Sequence, residues 1–235
     1  MKSFLKENFP SLVKIKHNIE KNIAYLNLNL RSRERIFSAY YTSNKWKDAY
    51  SRSGEGSNME VTAALRAALP DLFQQFGIKS VVDVPCGDFF WMKDVDLSTV
   101  DYTGGDIVQP MIDDNNARYQ KPNVRFRYID LCETVPPCGD LFICRDALVH
   151  MSFKDIQKAL RNIRASGSKY LFTTTFTNRT ENADIATGMW RTLNFALPPF
   201  NFPPPLLSLD EKYNGQEGRY ADKHMALWRL GDLNL

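Results

Sequence analysis

The spacing of apolar positions changes period several times along the chain, and each change predicts an element. Leu12, Ile15, Ile19, Ile23, Leu26 and Leu30 recur at helical spacing with Lys14, Lys16 and Lys21 between them, which predicts an amphipathic helix with a basic face. From about residue 59 a second helical face runs through Val61, Leu65, Leu69, Leu72, Phe73 and Phe76; it is interrupted at Pro70 and closed by Gly77. Residues 80–84 are then a continuous apolar run of strand length. A second short strand around Tyr102 runs into Gly104, Gly105 and Asp106, and residues 110–119 read as a helix. Residues 124–129 predict a third strand and 140–144 a fourth. Ser152 and Asp155 fit a capping box that opens a helix to Arg164, ended by Ser166 and Gly167. Residues 170–175, rich in β-branched and aromatic side chains, predict a fifth strand. Finally, residues 206–209 and 225–230 flank a polar stretch containing Asn214-Gly215, as the arms of a hairpin do.

Helices alternating with short buried strands imply an α/β domain: a mostly parallel sheet covered on both faces, with an antiparallel pair at its end. In such sheets ligands bind outside the carboxyl ends of the strands. Three acids fall there: Asp83, Asp106 and Asp130. An acid about 20 residues beyond the first turn suits the two hydroxyls of a ribose, and a polar group after the third strand suits the edge of an adenine. The first turn, "VVDVPCGDFFW", distinguishes among adenosine cofactors. A diphosphate needs bare backbone N–H groups cleared by glycines, whereas here Pro85 removes a donor, Asp88 adds a negative charge and Phe89 fills the third glycine's place. Such a turn favours a cationic or zwitterionic ligand, and S-adenosylmethionine offers both a sulfonium and an ammonium.

"VVDVPCGDFFW", "YTGGDIV", "RYIDL" and "DLFICRDALVHMS" resemble, in order, the motifs of the class I S-adenosylmethionine-dependent methyltransferases over about residues 57 to 175. With "SRSGEGS", "TTTF" and "NFALPPFNFPPP" the chain is similar to a bacterial group of small methyltransferases, some associated with surface-polysaccharide genes. The resemblance implies a Rossmann-like fold with a seven-stranded, mostly parallel sheet and an antiparallel C-terminal hairpin. It implies S-adenosyl-L-methionine as cofactor, with Asp83, Pro85, Gly87 and Asp88 around the methionine part, Asp106 and Ile107 at the ribose, and Asp130 and Leu131 at the adenine. Arg145 and Asp146 end the fourth strand, where the family brings methyl and acceptor together. The departure is the glycine-poor turn, which leaves contact details open; the thiopurine methyltransferases also begin this turn with proline.

Methyl transfer needs alignment above all, but an alcohol acceptor must also lose its proton to a base. Of the three histidines, His17 lies in the N-terminal extension and His224 in the terminal hairpin, while His150 follows the fourth strand and is the candidate base, with Asp146 to orient it. Capping of the following helix is the structural alternative for His150. No metal is expected, because Asp146, Asp184 and Asp222 lack diagnostic spacing. "SRSGEGS", with Ser53, Gly54 and Ser57, suits closure over the cofactor. Residues 176–205 form a long insertion in which Glu181, Asp184, Trp190 and Arg191, beside Phe195 and Phe200, suit a sugar whose hydroxyls need partners and whose C–H faces pack on rings. The bland alternative is an aromatic and prolyl cover over the sheet.

Composition changes the picture little. At 235 residues one domain is expected: a basic helical extension and cofactor-closing segment over 1–58, then a methyltransferase domain over 59–235. Residues 1–35 hold eight Lys/Arg against three Asp/Glu while the chain nets only +3, so the basic excess is local. Its partner is an anionic membrane surface, another protein or the protein's own core, and no basic aromatic patch points to nucleic acid. Without a membrane-length apolar run or a secretory leader the expected location is cytoplasmic, with peripheral attachment to the inner membrane as an option. Cys86, Cys132, Cys138 and Cys144 form no CxxC pair, so buried free thiols are expected. The reading is thus O-methylation of a sugar or glycan hydroxyl. The alternatives are N- or carboxyl-methylation of a small metabolite, a nicotinamide dehydrogenase, and a noncatalytic scaffold of the same fold.

Overall fold

Every inner strand buries both faces, and the side chains divide by parity between two cores. The computed structural model describes residues 25–213 and 215–235. Its strands are β1 (Ser80–Asp83), β2 (Asp101–Asp106), β3 (Val124–Tyr128), β4 (Leu141–Cys144), β5 (Tyr170–Phe176), β6 (Leu207–Asp210) and β7 (Lys223–Arg229). The helices are α1 (Arg33–Ser43), α2 (Ala63–Gln75), α3 (Gln109–Tyr119) and α4 (Phe153–Ala165). They build one seven-stranded sheet in the order β3-β2-β1-β4-β5-β7-β6, with β1 to β5 parallel and β7 antiparallel to both its neighbours. This is the sheet, C-terminal hairpin included, that the sequence predicts.

One face carries Val82, Phe142, Cys144, Leu171 and Trp228 against Ile156, Ala159, Leu160 and Ile163 of α4. The other carries Val81, Leu141, Ile143, Phe172 and Leu227 against Leu65, Leu69, Leu72 and Phe73 of α2 and Ile112 of α3. Helix α2 runs through Pro70, because four buried side chains outweigh one lost backbone bond. The glycine pair of β2 is a packing requirement. A Cβ at Gly104 would lie 2.7 Å from the Phe126 ring, and one at Gly105 would lie 2.6 Å from Ile129 Cδ1.

Several expectations need correction. The capping box is relayed: Ser152 Oγ accepts from the Asp155 N–H, but the Ser152 N–H donates to Thr187 Oγ1, whose hydroxyl donates to Asp155. Phe195 and Phe200 do not await a sugar. They pack with Phe202 and Trp228 in the α4-side core, so this part of the insertion is the aromatic cover over the sheet. Cys138 is exposed, while the other three thiols are buried. The basic helix predicted from Leu12 lies largely outside the described residues, as does His17; at its end Leu26 and Leu30 are exposed. No helix among the described residues is long and apolar enough to cross a membrane.

Leu160 is 1 % exposed, so Leu160→Ala should lower the free energy of unfolding by about 2–5 kcal/mol, read from urea denaturation.

Candidate active site

The carboxyl ends of β1, β2 and β4 open into a cavity of about 560 Å³, within the range of small-molecule and cofactor sites. Its floor starts with two buried acids. Asp83 accepts from the Tyr102 hydroxyl at 2.7 Å. Asp106 accepts from the Val108 N–H at 3.0 Å and the Gly87 N–H at 3.3 Å, so one carboxylate ties the turns after β1 and β2 together. The turn after β1 spends every N–H it has. Val84 donates to the Ile143 carbonyl, Cys86 to the Gly105 carbonyl, Gly87 to Asp106, Asp88 to Ser53 Oγ and Phe89 to the Cys86 carbonyl. Pro85 has none, and a short 3-10 turn, Met92–Asp94, stands where a phosphate-binding helix would begin. The turn therefore offers a diphosphate no donor, and for a different reason from the one its charges suggested.

Asp88 is not in the cavity. Its carboxylate accepts from the Ser51 hydroxyl, the Arg52 N–H at 2.7 Å and the Ser53 hydroxyl, and so latches residues 51–53 onto the turn. Asp48 holds the same strap from the other side, accepting from the N–H groups of Tyr50 and Ser51 and from the Asn58 amide. Gly87 has φ +58 and would bring a Cβ within 2.3 Å of Ser53 Oγ, which leaves only glycine there. Phe89 also misses the cavity and packs among Tyr102, Tyr119 and Phe126, whereas Trp91 lines it.

The strap and helix α1 form a roof: Arg33, Phe37, Tyr41 and Trp46 line the cavity beside Ser53, Gly54 and Ser57. Arg33 docks the helix. Its Nε and Nη2 fork onto Asp130, Nη2 also reaches Glu133 at 2.6 Å, and Nη1 reaches Asp155 at 3.3 Å. Tyr40 adds a bond to the Gly188 carbonyl and Tyr41 one to Asp114. Asp130 lines the cavity beside Ile107 and Leu131, but its carboxylate is already committed to Arg33 and to the Cys132 N–H.

At the end of β4 four charges interlock, with Arg145, Glu211 and Lys223 buried and Asp146 partly buried. Arg145 Nε donates to Glu211 at 2.6 Å, and Lys223 reaches Glu211 at 2.9 Å and Asp146 at 2.6 Å. Arg145 Nη1 lies 3.4 Å from Asp146, and the guanidinium stacks 5.5 Å over Trp91. Asp146 takes φ +52, anchored by its N–H on Thr174. Beyond it stands His150, with Nδ1 3.0 Å from the Met189 carbonyl. A carbonyl only accepts, so Nδ1 carries the proton and Nε2 keeps its lone pair.

The insertion holds His150 in place. Arg191 donates to the carbonyls of Leu148, Met151 and Ala183, and its own N–H donates to that of Val149. This predicted acceptor residue is therefore a clamp on the His150 turn. Asp184 accepts from the N–H groups of Phe153 and Ile185, and Glu181 lies beside Arg179 and Thr180 in a separate shallow depression. Trp190 alone of the four lines the cavity, at 43 % exposure on its rim and edge-on to Tyr220. Sequence reasoning missed Arg33, Trp46, Glu211, Tyr213, Tyr220 and Lys223, which come together only through tertiary folding. Lys223 alone left a signal: a lysine opening an apolar strand. No cluster of His, Cys, Asp and Glu suited to a metal ion occurs among the described residues.

No family model and no curated protein matches the sequence. Among solved structures, human N-acetylserotonin methyltransferase in complex with SAM aligns over 73% of this chain and 53% of its own, with 12% identity and a TM-score of 0.52. LaPhzM aligns over 72% and 55%, with 14% identity and a TM-score of 0.50. The fold is that of the class I methyltransferases. The chain spans about half the length of these structures.

Within this methyltransferase fold the electrostatics divide the cavity. Burial pushes Asp83 up to about 7 and Asp106 up to about 6. Asp146 is less enclosed, and Lys223 and Arg145 hold it down at about 2. Burial pushes His150 below its ordinary value, so its imidazole is neutral at physiological pH. For a carboxyl raised by folding, stability is fully present below the unfolded-state value near 3.8 and is lost as pH rises through the folded one. The ligand-free protein should therefore lose stability between pH 4 and 7, and Asp83→Asn should lose less over that window in urea denaturation.

Proposed function

We propose that the chain is an S-adenosylmethionine-dependent methyltransferase that methylates a hydroxyl of a sugar or glycan acceptor. The observation that carries this reading is one cavity lined both by the buried acids Asp83 and Asp106 and by His150, whose Nδ1 is bonded to the Met189 carbonyl and whose Nε2 is left free. The residues present fit the cofactor. Asp106 stands at the end of β2 for the ribose hydroxyls, and Arg145 Nη2, buried and without a partner, has a donor to give. The complete use of backbone N–H groups in the first turn disfavours a dinucleotide. When bound, the cofactor supplies an electrophilic methyl on a sulfonium.

The chain's own residues orient and deprotonate the acceptor. His150 takes the hydroxyl proton on Nε2, and the nearby Asp146, already ionised, stabilises the imidazolium that results. Trp46, Trp190 and Tyr220 offer ring faces and edges along the walls for the C–H faces of a sugar. Strap and α1 exclude water above. A cytoplasmic setting and a role in surface-polysaccharide modification complete the proposal.

Titration calorimetry should give binding of S-adenosylhomocysteine and none of NAD; binding of NAD alone overturns the assignment. His150→Ala should keep S-adenosylhomocysteine affinity and lose roughly 10²- to 10⁴-fold in methyl transfer from labelled S-adenosylmethionine to a hydroxylated acceptor. Full turnover in that variant would move the reaction to a nitrogen or carboxylate acceptor, neither of which needs the base.

A further inference from the structure

Glu211 belongs to none of the strand-end motifs, yet its enclosed carboxylate holds two cations, Arg145 and Lys223, that line the cavity. It lies just beyond β6, its side chain 0 % exposed, with one oxygen 2.6 Å from Arg145 Nε and the other 2.9 Å from Lys223 Nζ. The Arg145 guanidinium is thereby held on three sides: Glu211 at Nε, Asp146 at Nη1 and the Trp91 ring. The remaining nitrogen, Nη2, is buried and has no partner. Such a donor costs free energy unless a ligand satisfies it, and a guanidinium is best satisfied by a carboxylate. Released from Glu211, the guanidinium would be free to turn its fork onto Asp146, using up that donor.

We infer that Glu211 is a positioning residue: it fixes Arg145 so that Nη2 stays available to the carboxylate of the cofactor's amino-acid end. The inference rests on the cofactor reading above. An α-amino acid presents an ammonium and a carboxylate a few ångströms apart. Asp83 ends β1 beside Ile143 of β4, and Arg145 follows two residues later, so an acid and a base stand at the ends of paired strands. The zwitterion then meets Asp83 through its ammonium and Arg145 through its carboxylate. The hairpin β6–β7, remote in sequence from the cofactor motifs, sets this end of the site.

The test is calorimetry with three compounds: S-adenosylhomocysteine, its decarboxylated analogue, and 5′-methylthioadenosine, which lacks the whole amino-acid end. The wild-type protein should prefer S-adenosylhomocysteine over the decarboxylated analogue by about tenfold or more. Glu211→Gln should erase most of that preference while leaving 5′-methylthioadenosine affinity unchanged, a ratio that general loosening of the fold would not produce. Because Glu211→Gln leaves two buried cations against one anion, the charge-balanced pair Glu211→Gln with Lys223→Met provides the same reading if the single variant does not fold. Equal affinity of the wild type for S-adenosylhomocysteine and its decarboxylated analogue overturns the inference alone, as does a preserved preference in either folded variant. Failure of the wild type to bind any of the three overturns the cofactor reading and the inference with it.

Discussion

Four interlocked charges, the buried Arg145, Lys223 and Glu211 and the partly buried Asp146, are the constraint around which the candidate site is built. Each of the three buried ones costs several kcal/mol to remove from water, and contacts within the group offset that cost. The offset requires β4, which supplies Arg145 and Asp146 just past its end, to face the β6–β7 hairpin, which supplies Glu211 and Lys223. Register does this: β5 stands between them, pairing with β4 on one side and β7 on the other. Once Lys223 fixes Asp146, the turn that follows places His150, and the insertion secures that turn through Arg191. A fold-level event, hairpin docking, thus decides where His150 stands.

The roof obeys the same rule with a different cation. Arg33 meets three carboxylates, on Asp130, Glu133 and Asp155, and is the strongest tie between α1 and the rest of the chain. This changes what Asp130 can contribute: its carboxylate supports the roof first, and any role toward an adenine edge is shared with that duty. Exposed ion pairs are worth little, but this one is half-shielded, forked and networked, the circumstances in which such contacts do stabilise.

The sheet was legible because period and parity are local. Strand β1 reads as an apolar run and α4 as a capped periodic helix, and three acids at strand ends follow from strand boundaries alone. The site was legible mostly where it sits on those ends: Asp83, Gly87, Asp106, Arg145, Asp146 and His150 all line the cavity, joined from outside that frame by Ser53, Gly54, Ser57 and Trp190. Other residues outside that frame were misassigned or missed for one physical reason. A polar side chain shows its type in the sequence but not its partner. Arg191 has the chemistry of a substrate ligand and spends it on three carbonyls. Arg33 and Glu211 act through contacts separated by 97 and 66 residues, and neither carries a local signature.

Asp88 illustrates how an expectation can rest on the wrong contact. Its charge suggested repulsion of a phosphate, but the carboxylate is satisfied by Ser51, Arg52 and Ser53 and does not face the cavity. What denies a phosphate its donors is the backbone, since each N–H from Val84 to Phe89 is already bonded within the protein. Two of those bonds go to Asp106 and Ser53, one from the floor and one from the roof. The glycine-poor turn is therefore a junction that joins the neighbouring strand end to the strap. Gly87 is its one indispensable glycine because Ser53 Oγ occupies the space a side chain would take. Residues 81–91 thus encode the closing of the cavity as much as the recognition of what it holds, and that is why phosphate-loop reasoning met a sequence with its glycines replaced.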